Sequence, residues 1–593
     1  MNNDNSPAVT SGQQTFPKMK KYILTIAGAA ILGWPFLISC NTGGSSTDTS
    51  IATDSATIAA GQASFTRNCG SCHNFRQDGI GPRLNGITAT LSPDWLLRFI
   101  QNPKQMIDAG DQHAKSAFDK YHTVMPSFSS VPVNELNGII AFLNTHQEKN
   151  EKETAEDSTA IKNPIPKPIE LSGLTLALEP VTQFPASSEK GKLPLTRITK
   201  MDHTPDNSGT FVVDIRGKLY KLVNNQPVGF MDMAKQRPAF RNEPGLGTGF
   251  GSFAFHPEFP KNGLFYTTHT EAAEASEADF ATGDTLKKGL QWVLTEWKAE
   301  DPKAATFSGQ GRELLRIGFV TEIHGVQEIS FNPLAKRGDA DYGLLYIGIG
   351  DGGCAENGYP QLAHNRSRIW GTVIRIDPAG KNSANGHYGI PAQNPFAKTG
   401  NGELKEIFAW GFRNPHRLTW TKKGQLLVSN IGQGNIESVN LVKAGNDFGW
   451  PIREGNFLLN PSGNLSKVHP LPAGDSSFHI SYPVIEYDHD EGKAISGAYE
   501  YNGKAIPALN GKIVFGDIPT GRLFYAEMKD IKPGSQAPIK EWKIEVNGIT
   551  KSLTELCGSD RVDLHFAKDA AGELYIMTKA DGRLYKLVNK AKQ

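Results

Sequence analysis

From Ile169 to its end, the chain repeats one short pattern: a glycine followed by a burst of alternating apolar and aromatic residues. Examples are Gly217-Lys218-Leu219-Tyr220-Lys221-Leu222, Gly263-Leu264-Phe265-Tyr266 and Gly343-Leu344-Leu345-Tyr346-Ile347. More follow at Gly424-Gln425-Leu426-Leu427-Val428, Gly511-Lys512-Ile513-Val514-Phe515 and Gly572-Glu573-Leu574-Tyr575-Ile576. A turn glycine leading into a β-rich run is a hairpin signature. Its recurrence along a stretch poor in helical pattern restricts the fold to a propeller or a sandwich. The units Gly217–Leu222 and Gly582–Leu587 are near copies, which suits a ring whose ends meet.

The preceding part of the chain has a different chemistry. Residues 69–73 read Cys69-Gly70-Ser71-Cys72-His73. C-x-x-C-H is the attachment signal for a c-type haem, two thiols bonding the porphyrin and the adjacent imidazole ligating the iron. A zinc half-site would need further Cys/His pairs at fixed spacing, and none follows closely. The second axial ligand is expected to be a thioether. Met125, in Met125-Pro126-Ser127-Phe128, is the first choice because the proline holds the loop extended; Met106 is the rival. Gly81-Pro82-Arg83-Leu84-Asn85-Gly86 supplies a tight turn, and Leu136, Ile139, Ile140 and Leu143 have the spacing of a closing helix. Residues 56–147 resemble a small class I cytochrome c.

Lys18, Lys20 and Lys21 precede an apolar run to Ile38, a secretory pattern. Met19 is a plausible start. Leu37-Ile38-Ser39-Cys40 resembles a bacterial lipobox, which implies lipidation of Cys40, a flexible tether over 41–55 and a place in the cell envelope, periplasmic or anchored to the outer membrane. The competing reading, an uncleaved anchor, asks a short run containing Trp34-Pro35 to span a bilayer. Lys+Arg is 62 and Asp+Glu is 61, a balance that speaks against a nucleic-acid partner. Of five cysteines, Cys354 and Cys557 are left over, a pair that an oxidising compartment can join. Residues 148–170 are polar, charged and proline-bearing, and read as a linker to a domain at 171–593.

Within that domain, several strings occur in one order: Phe253-Ala254-Phe255-His256-Pro257-Glu258-Phe259; Ile347-Gly348-Ile349-Gly350-Asp351-Gly352-Gly353; Gly371-Thr372-Val373-Ile374-Arg375-Ile376-Asp377-Pro378; Trp410-Gly411-Phe412-Arg413-Asn414-Pro415-His416-Arg417; and Gly445-Asn446-Asp447-Phe448-Gly449-Trp450-Pro451. Together they resemble the quinoprotein glucose/sorbosone dehydrogenase family. The resemblance implies a six-bladed β-propeller that oxidises a sugar with pyrroloquinoline quinone (PQQ) and calcium. It makes His324 the general base, a role suited to a neutral imidazole. It places Asn414 on the quinone with Arg413 near the sugar, and calcium on the backbone carbonyls of Gly432 and Gln433. Asp351 reads as a turn-former.

Three family positions depart. A glutamine falls on Gly247, a quinone-pairing lysine on Pro519, and an arginine pair is reduced to Arg561. The carboxylates of PQQ need cationic partners when buried. Arg241, Arg413, Arg417 and Arg561 are the candidates. The sequence thus reads as a small all-α cytochrome c domain followed by an all-β propeller: an exported oxidoreductase that oxidises an aldose or polyol, passes electrons singly to its own haem, and hands them to a downstream redox protein. The alternative is a non-catalytic propeller that binds a glycan or protein beside an electron-transfer cytochrome.

Overall fold

The computed structural model describes residues 50–589 apart from 71, 79–80, 122, 148–157, 190–192, 244–246, 284 and 287. Cys40 and residues 41–49 of its tether lie outside the described residues, and Ser55, the tether's last residue, already opens the first helix. No described helix is long and apolar enough to cross a membrane.

The segment up to Asn144 is helical. Helix Ser55–Asn68 starts at Asp54, whose carboxylate caps Thr57 N–H at 2.8 Å. It packs across helix Val133–Asn144, which buries Leu136, Ile139, Ile140 and Leu143 as their spacing predicts. The two helices meet at Gly61 and Gly138, so closely that a Cβ on Gly61 would overlap the Gly138 carbonyl. Phe65, Leu136, Ile139 and Phe142 form the core of this unit.

From Glu170 onward the regular structure is almost entirely strands, joined by turns and loops. Among the described residues, four separate four-stranded sheets follow in order, and a nine-stranded sheet contains two further runs of four. That sheet is continuous because strand Glu170–Gln183, the outer member of the second run, pairs antiparallel with Arg583–Val588 within that run and parallel with Ile539–Val546 at the edge of the first. The first strand of the domain therefore completes the last sheet. The near-copies noted in the sequence are equivalent strands, Lys218–Val223 in the first sheet and Arg583–Val588 in the last run, each entered through a positive-φ glycine, Gly217 or Gly582.

Apolar clusters sit between consecutive sheets. Phe211, Phe253 and Phe265 join the first to the second. Trp292, Leu315 and Ile347 join the second to the third. Met201, Val212, Met577 and Leu584 join the last to the first. This last cluster closes the ring, and the architecture is a β-propeller. Aromatic and branched residues allow it, because the inner strands bury both faces against neighbouring sheets, as in Phe250–Phe255, Leu345–Ile349 and Thr372–Ile376, buried at every position.

Residues 158–169 do not hang free. Ile161 bridges Val468, and the N–H groups of Ile165 and Ile169 donate to Asp488 and Glu491 at 2.9 and 2.8 Å. The helical unit docks on the propeller as well: Leu465 N–H donates to Gln77, Lys493 Nζ donates to the Tyr121 carbonyl at 3.1 Å, and the Arg76 guanidinium packs on Gly358. Cys354 and Cys557 are both free thiols. They belong to different apolar clusters, so the disulfide allowed by the sequence does not form.

Candidate functional site

His73 lies flat against Gly81, where any side chain would strike the imidazole. Its Nδ1 is 2.8 Å from the Pro82 carbonyl. A carbonyl only accepts, so Nδ1 carries the proton and Nε2 is left with a free lone pair. Burial pushes the His73 pKa down, which keeps the ring neutral as iron ligation requires. Cys69 caps helix Ser55–Asn68, and burial pushes its thiol pKa up to about 12. Two thiols, a preset imidazole and the aromatic wall Phe65, Phe75 and Phe142 fit a covalently attached haem. Met125 lies, half-buried, in the irregular segment before helix Val133–Asn144, whereas Met106 is inside helix Pro103–Asp108.

The haem-attachment face and the propeller axis border one cavity of about 410 Å³. Cys72, His73 and Phe75 line one side. His324, Arg413, Asn414, Gly432, Gln433 and Arg561 line the other.

His324 follows strand Gly309–Phe319 and precedes strand Glu328–Phe331, with φ of 48°. Its carbonyl presses on Gly350, and the next residue, Gly325, lies against the Trp292 ring, so both glycines are required for close approach. His324 Nδ1 is 2.8 Å from Asp351 Oδ1. Asp351 is buried; it also accepts from Trp450 Nε1 at 3.0 Å and from Gly353 N–H at 2.8 Å. Burial alone would raise the Asp351 pKa, but the hydrogen bond and charge of His324, with Arg413 nearby, hold it below its ordinary value. An ionised Asp351 fixes the tautomer with Nδ1–H and turns Nε2 to the cavity as an acceptor. The turn-former reading of Asp351 is thus incomplete: the residue does shape the turn, but it also orients His324.

Arg413 donates to Gln433 Oε1 at 2.7 Å and to the Gly432 carbonyl at 2.6 Å, with Glu356 3.6 Å away. The expected calcium donors do not fit the ion as arranged, because a guanidinium already occupies the Gly432 oxygen and repels a dication. Arg241 is not at the site. Its backbone pairs with Thr270 and its side chain is exposed. Arg417 also borders the cavity, but it is buried and its guanidinium is taken up by the carbonyls of Thr199 and His416, by His565 Nδ1 and by Glu328 at 3.5 Å.

The cavity does suit a polyanionic ring. Arg561 lines it, paired with Asp563 at 2.7 Å. Asn414 Oδ1, Thr199 Oγ1, His416 Nε2 and His565 Nε2 are buried there without hydrogen-bond partners, which a polar ligand would satisfy. At Gly247 a Cβ would lie 2.6 Å from Gln327 Nε2, so Gln327 fills the space of a side chain at that position. Neither Gln327 nor Lys579, also on the cavity wall, carries a local motif that sequence reading could have flagged.

The pattern of the family described as Glucose / Sorbosone dehydrogenase matches residues 195–586, and that of Cytochrome c matches 58–147. The chain belongs to the glucose/sorbosone dehydrogenase family. As a member of that family it is 28% identical to the HIPL1 protein of Arabidopsis thaliana over 381 residues, 56% of this chain and 50% of that protein. The chain thus spans about half the length of this relative. It is 25% identical to quinoprotein glucose dehydrogenase B of Acinetobacter calcoaceticus over 370 residues, 59% of this chain and 70% of that one. The fold is shared with the soluble aldose sugar dehydrogenase of Escherichia coli, at TM-score 0.50 and 18% identity, covering 70% of this chain and 100% of the other. This glucose/sorbosone dehydrogenase propeller is joined to a cytochrome c domain.

Proposed function

We propose that the protein oxidises the hydroxyl-bearing carbon of an aldose or polyol in the propeller and passes the electrons to its own cytochrome. The observation that carries this is the placement of His324 Nε2 and the haem-attachment histidine on one cavity. His324 takes the hydroxyl proton on Nε2, and Asp351 stabilises the resulting imidazolium. Arg413, held by Gln433 and Glu356, presents a cation for a substrate oxygen. Bound PQQ would supply a quinone that takes the hydride pair, and a haem on Cys69, Cys72 and His73 would carry those electrons onward one at a time. Docking removes a diffusive step between donor and acceptor. The envelope location and lipidation of Cys40 belong to this proposal, since a c-type haem and a lipobox both point to export.

The test is optical. PQQ is added to the matured protein with a panel of aldoses and polyols, and haem reduction is followed. Substrate-driven reduction that is lost in His324→Ala, with the haem spectrum unchanged, supports the reading. Intact haem that no sugar reduces favours the alternative, a propeller that only binds.

A further inference from the structure

Lys579 lies on the propeller wall of the shared cavity, beyond strand Leu574–Thr578, and is 6% exposed. Among the described residues its ammonium has no hydrogen-bond or ion-pair partner. Its neighbours are Asp563, Arg197, Arg561, Arg417, His416 and His565. Asp563 is already held by Arg561. The Arg197 Nε and Nη1 atoms are also buried without partners. Arg417 is balanced by Glu328 at 3.5 Å, which leaves Lys579 and Arg197 as the unpaired cations of this wall, and a buried cation without a partner is costly unless a ligand supplies the countercharge.

The two imidazoles beside Lys579 are neutral and are set as opposite tautomers. Arg417 can only donate, so at 3.2 Å it requires an unprotonated Nδ1 on His565, whose free Nε2 then carries hydrogen. His416 Nδ1 is 3.1 Å from Gln327 Oε1, while Gln327 Nε2 donates to the Gly247 carbonyl, so His416 carries hydrogen on Nδ1 and offers a lone pair at Nε2. The ring centroids are 5.7 Å apart. The wall therefore presents an ammonium, an N–H donor and a lone pair: a match for a ligand with a carboxylate and a hydrogen-bond donor of its own.

We propose that Lys579, with His565 and His416 beside it, anchors the carboxylate end of the quinone cofactor, in place of the cation that Pro519 does not provide. This rests on the PQQ reading above. The test is equilibrium dialysis of the haem-loaded full chain against PQQ and against its trimethyl ester, with free ligand measured outside the membrane. Lys579→Gln is expected to weaken PQQ binding about tenfold or more, the loss of one charge-assisted hydrogen bond. Lys579→Arg should stay within about threefold of wild type by the same reasoning, and the ester should bind wild type and Lys579→Gln alike. An unaltered haem spectrum and melting temperature separate this loss from misfolding. Equal PQQ affinity in wild type and Lys579→Gln overturns the assignment while leaving the cofactor reading intact. A wild-type protein that binds neither form overturns both.

Discussion

His324 Nδ1 and Asp351 Oδ1 are 2.8 Å apart, although 27 positions separate the residues in sequence, and the aspartate has no access to water. Asn at 351 offers an amide N–H to the imidazole, which favours the tautomer protonated on Nε2. The base would then face the cavity without its lone pair. Asp351→Asn is expected to lower substrate-driven haem reduction about 10²-fold or more with the haem spectrum unchanged. Stopped-flow reduction at saturating sugar measures it. The linkage has a definite sign. The folded-state pKa of Asp351 is depressed, so its contribution to stability is present above its unfolded value of 3.8 and is lost as pH falls through the lower folded value. Acid melting curves of Asp351→Asn should lack that increment below about pH 4.

The pH dependence of cofactor binding follows from Lys579. Burial, reinforced by Arg197, Arg561 and Arg417 against the opposing charge of Asp563, lowers its pKa to about 8. An anion binds the ammonium and not the free amine. PQQ affinity is therefore expected to be level below about pH 8 and to fall above it, by up to about tenfold per unit. In Lys579→Arg the fall should vanish over the same range, because a guanidinium stays charged. Dialysis between pH 6.5 and 9.5 reads both.

Much of this was legible in the residues. C-x-x-C-H located the haem unit, and the glycine-led bursts located the strands, because both are local patterns with a local cause. His324 and Arg413 were pointed to by the family resemblance, and both line the cavity. What escaped was whatever the ring brings together. Asp351 looked like a turn residue because its contacts to Gly353 are local and its contacts to His324 and Trp450 are not. Gly247 looked like a loss because Gln327, which fills its space, lies 80 positions away, just before strand Glu328–Phe331. Arg241 looked eligible because charge alone cannot tell an exposed guanidinium from one that lines a channel.

Lys493 couples the two domains. Its ammonium donates to the Tyr121 carbonyl on the cytochrome and to the His489 carbonyl on the propeller. Lys493→Met removes both donations, the one across the domains included, while keeping an apolar stem. Substrate-driven haem reduction is expected to slow about tenfold, while reduction of a soluble dye by the propeller is unchanged, since only the internal acceptor loses effective concentration. Comparing the two assays on one preparation decides it. Equal slowing of both would place Lys493 in the propeller chemistry instead of the docking.

The crossing of Ser55–Asn68 and Val133–Asn144 gives an asymmetric prediction. A Cβ on Gly61 would overlap the Gly138 carbonyl, a backbone atom that cannot rotate away. A Cβ on Gly138 would meet Gly61 Cα at 3.4 Å and Thr57 O at 3.5 Å, ordinary contact distances. Two glycines facing one another are therefore not equivalent. Gly61→Ala must push the helices apart and open the wall formed by Phe65 and Phe142, at a cost of about 3 kcal/mol or more. Gly138→Ala leaves the crossing in place and gains helix propensity, so its change should stay within about 1 kcal/mol. Both replacements also remove the same backbone freedom from the unfolded chain, so the difference between them isolates the steric term. Thermal unfolding followed at the haem band separates the two variants; a Gly138→Ala protein as unstable as Gly61→Ala would mean that the helices cross elsewhere.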